Sequence, residues 1–158
     1  MKNKIEISPI GLIHTPFDGK EKIPRQGRFG ENNDGVVEIF PEFTEGLNGL
    51  ESFSHIYLIF HFHQSNGYML TQITPRHHQV KGVFAIRSPR RPNGIGMTIV
   101  RLKKMEGNKI YFSGADMIDG TPLLDIKPYT TDIDSYPEAD NGWLKTLPHQ
   151  QDDQNILK

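Results

Sequence analysis

Apolar residues along this chain recur mostly at every second position. The pattern predicts strands over Ile5–His14, Gly35–Phe40, His55–His63, Lys81–Arg87, Met97–Met105, Lys109–Ser113 and Leu123–Lys127. These segments carry Val, Ile, Phe and Tyr and are bounded by Gly, Pro and Asn, the ordinary marks of short strands between turns. Ile56-Tyr57-Leu58-Ile59-Phe60 is apolar without a break, which predicts a strand buried on both faces. Glu42–Phe53 reads as a short helix weakened by Gly46 and Gly49. No strand–helix alternation and no internal repeat is present. The expected fold is therefore mostly β: a single closed or nearly closed barrel of mainly antiparallel strands, with a short helix and a C-terminal tail. The barrel is expected over residues 1–130. The tail, 131–158, is acidic and holds the only tryptophan, Trp143, which with Leu144 is expected to dock the tail on the barrel or on a partner.

Composition narrows the class. A chain of 158 residues fits one domain with a real core. The absence of cysteine excludes disulfides, thiolate metal sites and cysteine nucleophiles. It agrees with a reducing compartment, and a cytoplasmic location is expected. No apolar run approaches the roughly 20 residues of a membrane helix, and the start of the chain lacks an apolar leader. No membrane partner is expected.

Net charge is −1, but the charges are segregated along the sequence. From Ser52 to Met105 there is no Asp or Glu, while Arg76, Lys81, Arg87, Arg90, Arg91, Arg101, Lys103 and Lys104 give a +8 block. Such a block either forms one basic face for a phosphate-bearing partner or is mixed back with the flanking acids on folding.

Four stretches carry candidate chemistry. Arg87-Ser88-Pro89-Arg90-Arg91-Pro92-Asn93-Gly94-Ile95-Gly96 puts three arginines in a turn-rich loop, and guanidinium forks suit carboxylate or phosphate. Asp119-Gly120-Thr121-Pro122 is a turn leading into a strand where Asp125 and Lys127 share one face, either as a surface pair or lining a polar pocket. His61 and His63 point the same way in a strand and, with His77 or His78, resemble a three-histidine metal set. No acid lies nearby to support one, and no metal is expected. Pro24-Arg25-Gln26-Gly27-Arg28-Phe29-Gly30 reads as an exposed loop. No serine sits in a strand–turn–helix elbow.

Together these stretches resemble one family. Pro24-Arg25-Gln26, Gly49-Leu50-Glu51-x-Phe53-Ser54-His55-Ile56, Phe62-His63-Gln64 and Gly82-Val83-Phe84-Ala85-x-Arg87-Ser88 are followed by Arg91-Pro92-Asn93-x-Ile95-Gly96 and Asp119-Gly120-Thr121-Pro122-x-x-Asp125-Ile126-Lys127-Pro128-Tyr129. Their identity and order resemble the TsaA-like, TrmO-type S-adenosylmethionine-dependent tRNA methyltransferases, over about Ile5 to Tyr129. The resemblance implies a β-barrel homodimer that methylates N6 of threonylcarbamoyl-adenosine at position 37 of tRNA, in the anticodon loop, with the cofactor near the subunit interface. It implies cofactor contacts from Pro24, Arg25, Gln26, His63, Gln64, Arg87, Met97, Ile118, Asp119, Gly120 and Thr121. Asp125, with Lys127 and Tyr129, is the expected catalytic group, and Arg90, Arg91, Arg101 and Lys103 are the expected tRNA contacts. Gly94 stands where the family usually has a second proline, which implies a looser loop. The chain ends soon after Tyr129, where longer members carry a further domain, so tRNA binding is expected to rest on the barrel. A non-enzymatic RNA-binding barrel, or a methyltransferase with another substrate, is the alternative.

Overall fold

A computed structural model describes residues 4–19, 23–29, 32–75 and 78–146. Among these described residues there are eight strands: β1 (Gly11–His14), β2 (Asp34–Ile39), β3 (His55–His61), β4 (Thr71–Ile73), β5 (Val80–Gly82), β6 (Ile95–Glu106), β7 (Lys109–Ser113) and β8 (Thr121–Pro128). Six of them close a barrel in the order β1-β2-β7-β6-β3-β8, with β8 pairing back onto β1. Each of the six pairings is antiparallel. β4 and β5 form a separate two-stranded ribbon.

The two-residue period sets the inside and outside of the barrel. Ile13, Val37, Ile39, Ile56, Leu58, Phe60, Val100, Ile110, Phe112 and Leu123 fill the interior. Two glycines make room for the largest of these side chains. A Cβ on Gly35 or on Gly96 would lie 2.4 Å from a ring carbon of Phe112 or Phe60, respectively. Each phenylalanine therefore occupies the space its neighbouring strand leaves open.

Three local expectations are corrected. In β3 the interior takes only Ile56, Leu58 and Phe60, while Tyr57 and Ile59 face outward and are half-buried. The Glu42–Phe53 segment forms two 3-10 turns, Pro41–Leu47 and Leu50–Ser52, in place of a continuous helix. Gly49 breaks it in the left-handed conformation, φ 88°. The Lys81–Arg87 strand ends at Gly82 and gives way to a 3-10 turn over Val83–Ala85.

The tail opens with one α-helical turn, α1 (Thr131–Asp134). It then docks through Trp143, whose Nε1–H donates to the Ala85 carbonyl at 2.9 Å. Lys81 lies 5.4 Å over the Trp143 ring. Among the described residues no helix is long and apolar enough to cross a membrane.

Candidate functional site

One end of the barrel gathers most of the expected cofactor residues. β1 ends there, β8 begins there, and segments 15–19, 23–29 and 114–120 lie across it. The turn into β8 is braced from several sides. The Thr121 hydroxyl donates to the Ile118 carbonyl at 2.6 Å, and Gly120 takes φ 72°. Asp119 Oδ1 accepts the Thr15 N–H at 3.0 Å, and the Asp119 N–H donates to the Phe17 carbonyl at 2.7 Å. His14 Nδ1 stands 3.5 Å from the same carboxylate. The Asp119 side chain thus holds the turn against the end of β1. Gln64 and Ile118 both flank Gly19: a Cβ there would lie 3.8 Å from Gln64 Oε1 and 4.0 Å from Ile118 Cδ1.

The second group forms around Arg87. Its Nη1 donates to Gln26 Oε1 at 2.5 Å, joining segments 61 residues apart in sequence. Gly27, next to Gln26, packs against the Gly114 carbonyl, Thr98 and the Ile99 carbonyl. This brings Pro24, Arg25 and Gln26 to the strand that carries Met97. His61 and His63 do not share a strand face, because the His63 N–H donates to the His61 carbonyl and turns the chain. Among the described residues, no three His, Asp or Glu side chains are placed to hold a metal ion. His77 lies outside those residues.

The expected catalytic residues lie on the outer face of β8, β3 and β6. Strand register sets them in rows: Asp125 opposite Ile59 opposite Met97, then Lys127 opposite Tyr57 opposite Ile99. In the third row the Tyr129 N–H donates to the His55 carbonyl, and His55 pairs with Arg101. Lys127 Nζ is 2.9 Å from Asp125 Oδ2, an ion pair on a partly exposed surface. Such a pair is worth little to stability, so its position carries its interest. The Tyr129 ring packs at 5.7 Å on Tyr57 and 6.4 Å on His55. Desolvation, followed by the charge and hydrogen bond of Asp134 in α1, pushes the Tyr57 hydroxyl above its ordinary pKa. Ile95, Met97 and Ile99 are 40–51% exposed on this face.

The basic block is partly dispersed on folding. Lys103 pairs with Asp34 at 2.9 Å and Lys104 with Glu106 at 2.7 Å. Arg91 turns inward, donating from Nη1 to the Val83 and Ile86 carbonyls, and so braces its loop. Arg90 and Arg101 remain exposed; Arg76 lies outside the described residues. Of the four expected tRNA contacts, Arg90 and Arg101 are exposed, Lys103 is held in a partly exposed ion pair, and Arg91 is bonded to its own loop. Gly94 has φ 60°, which proline cannot adopt. Its N–H donates to Arg91 and its carbonyl accepts from Phe62, so the loop is a tight turn where a looser one was expected.

Periodicity did not single out Thr98 or Asp116. Asp116 Oδ2 accepts the buried Thr98 hydroxyl at 3.0 Å. Burial pushes the Asp116 carboxyl up to about 6, against the opposing pull of Thr98, the Gly27 backbone and Arg87. The only sequence signal was an acid just upstream of the 118–121 turn.

The closed, six-stranded antiparallel barrel sets this protein in the β-barrel class, distinct from the doubly wound nucleotide folds. The chain belongs to the family of the tRNA-methyltransferase O N-terminal domain, whose model matches residues 12–135. It is 45% identical over 142 residues to a probable S-adenosyl-L-methionine-binding protein of Pyrococcus abyssi, covering 90% of this chain and 77% of that one. It is 44% identical over 134 residues to the mouse tRNA (adenine(37)-N6)-methyltransferase, covering 80% of this chain and 31% of that protein. The crystal structure of TrmO from Pseudomonas aeruginosa is similar with a TM-score of 0.76 at 41% identity, over 90% of this chain and 62% of that one. The chain thus spans less than two-thirds of both the mouse relative and that solved structure.

Proposed function

We propose that the protein is an S-adenosylmethionine-dependent methyltransferase acting on N6 of threonylcarbamoyl-adenosine at position 37 of tRNA. The Arg87–Gln26 hydrogen bond carries the reading, because it joins two distant cofactor segments at the barrel end that also holds the 118–121 turn. Relatives whose names specify S-adenosylmethionine binding and methylation of adenine 37 support it.

Bound S-adenosylmethionine supplies an electrophilic methyl group. The chain's task is then largely placement, since transfer requires the acceptor nitrogen in line with the sulfur–methyl bond. Arg87 holds the cofactor carboxylate with Gln26 fixing its fork, and backbone groups of Ile118–Thr121 read the adenine edge. Asp125, in the same row as Met97 across Ile59, takes the proton that N6 loses as the new bond forms, and Lys127 holds that carboxylate in place. Tyr129, Tyr57 and His55 offer stacking surfaces for an unstacked loop base, and Arg101 stands at the end of their row. The exposed strip Ile95, Met97 and Ile99 is the surface a second copy covers in a homodimer. The enzyme works in the cytoplasm, with its tRNA.

Mass spectrometry of tRNA nucleosides from cells lacking the protein tests the reaction. The methyl group on the modified adenosine should disappear, and its persistence rejects the reading. Arg87→Ala should weaken cofactor binding by about 1.5–3 kcal/mol, the scale of a charged hydrogen bond, as read by calorimetry. Unchanged affinity removes Arg87 from the site. If Arg90 and Arg101 each meet one phosphate, tRNA affinity should fall with salt at a log–log slope of about −1.4, and either alanine variant should reduce it by about 0.7. A flat salt response places the tRNA elsewhere. Sedimentation at micromolar concentration should show a dimer that Met97→Glu dissociates; a monomeric wild type excludes the shared interface.

A further inference from the structure

Asp116 has a place in the barrel end that the reading above does not use. The chain at 114–116 is fixed from one side, where the Gly114 and Ala115 N–H groups both donate to the Asn33 carbonyl, at 2.9 and 3.0 Å. On the other side it covers Gly27. A Cβ on Gly27 would lie 2.4 Å from the Gly114 carbonyl oxygen and 2.8 Å from Thr98 Oγ1. Segment 23–29 is therefore seated directly on the layer that Asp116 and Thr98 build. Thr98 is 5% exposed, and its hydroxyl is committed to Asp116 Oδ2.

The other carboxylate oxygen, Oδ1, is buried with no hydrogen-bond partner among the described residues. A carboxylate held this way costs free energy that a neutral side chain of the same shape would avoid. Filling space and accepting the Thr98 hydroxyl would not require the charge. What the charge adds is a stronger acceptor for Thr98 and the Gly27 backbone and, as a smaller contribution, attraction for Arg87, whose cation favours the ionised form. Arg87 in turn holds Gln26, one residue before the seated Gly27.

We infer that Asp116 is a positioning residue: its carboxylate, through Thr98, the Gly27 backbone and Arg87, seats the Arg25–Gln26–Gly27 segment and aims the Arg87 guanidinium before the cofactor arrives. The role of Arg87 and Gln26 as cofactor ligands rests on the proposed function; the seating of the segment does not. A segment held by few contacts opens locally, and removing one contact raises its opening population without unfolding the rest.

Two readouts separate these layers. Hydrogen exchange of the free protein, followed by mass spectrometry, should show the amides of 25–28 exchanging about tenfold faster in Asp116→Asn, with β3 and β8 unchanged. Thr98→Val should shift the same amides by a smaller factor. Unchanged exchange in both variants overturns the proposal, whether or not the protein binds S-adenosylmethionine. Calorimetric titration with S-adenosylmethionine should show Asp116→Asn weakened about tenfold, the low end for a lost charged interaction. The Asp116→Asn/Arg87→Ala pair should bind within about twofold of Arg87→Ala alone, because the two act in series. Multiplying losses would mean that Asp116 does not work through Arg87. A wild type that binds no S-adenosylmethionine rejects the proposed function, while the exchange result still decides the role of Asp116.

Discussion

Phe112→Ala is expected to lower the unfolding free energy by about 3–5 kcal/mol, the range for deleting a fully buried aromatic ring. Phe112 is 0% exposed and faces the interior from β7. Its ring occupies the gap that Gly35 leaves on β2, with which it pairs directly. Collapse around the truncated side chain is difficult, because the neighbour across the seam has no side chain to move in. Gly35→Ala attacks the same contact from the other side, since its methyl group would meet the ring at 2.4 Å. Combining Gly35→Ala with Phe112→Leu should recover part of the loss, because the smaller, branched side chain gives the methyl group room. Urea denaturation of the variants measures this. A loss under about 1 kcal/mol for Phe112→Ala would mean that the β2–β7 seam relaxes freely and that the barrel does not depend on this ring.

The barrel itself was legible because its strands bury one face. β7 spans the segment its alternation predicts, and β2, β6 and β8 lie within two residues of theirs at each end. The same period placed Asp125 and Lys127 on one face, where they are found as an ion pair. The Ile5–His14 prediction overran, since the strand is Gly11–His14, extended only by the Ile10 backbone bonds to Leu123 and Phe40. β4 went unread for a different reason. Thr71-Gln72-Ile73 is short and buries little, with Ile73 66% exposed, so no pattern of burial is written into it. The charge block left two outcomes open because adjacency in sequence says nothing about register. Lys103 meets Asp34, 69 residues away, through the β2–β7–β6 order, which only the assembled sheet creates. Asp116 was silent for the same reason. Its partners, Thr98 and Gly27, come from a strand and a loop that meet only where the barrel end is covered.

Stability of the wild type is expected to fall as pH rises from about 4 to about 6 through Asp116 alone, and Asp116→Asn should remove that dependence. The ordinary carboxyl value is 3.8, and burial raises it to about 6 in the folded protein against the opposing pull of Thr98, the Gly27 backbone and Arg87. The folded state therefore holds the Asp116 proton more tightly than the unfolded state does. Below the unfolded value both states are protonated and the group costs nothing. As pH climbs through the window, the unfolded chain releases its proton first and gains relative to the fold. Above about 6 the cost is complete, on the order of 3 kcal/mol for a shift of this size. An asparagine fills the same volume and its oxygen still accepts the Thr98 hydroxyl, so it escapes the penalty at every pH. Urea titrations at pH 8 should therefore find Asp116→Asn more stable than the wild type by up to about 3 kcal/mol, and at pH 4 the two should nearly coincide. An equal difference at both pH values would show that the carboxylate is not strained by burial. The same variant is expected to loosen segment 25–28 while tightening the whole fold. That opposition marks a charge kept for the geometry of the site and not for the stability of the barrel.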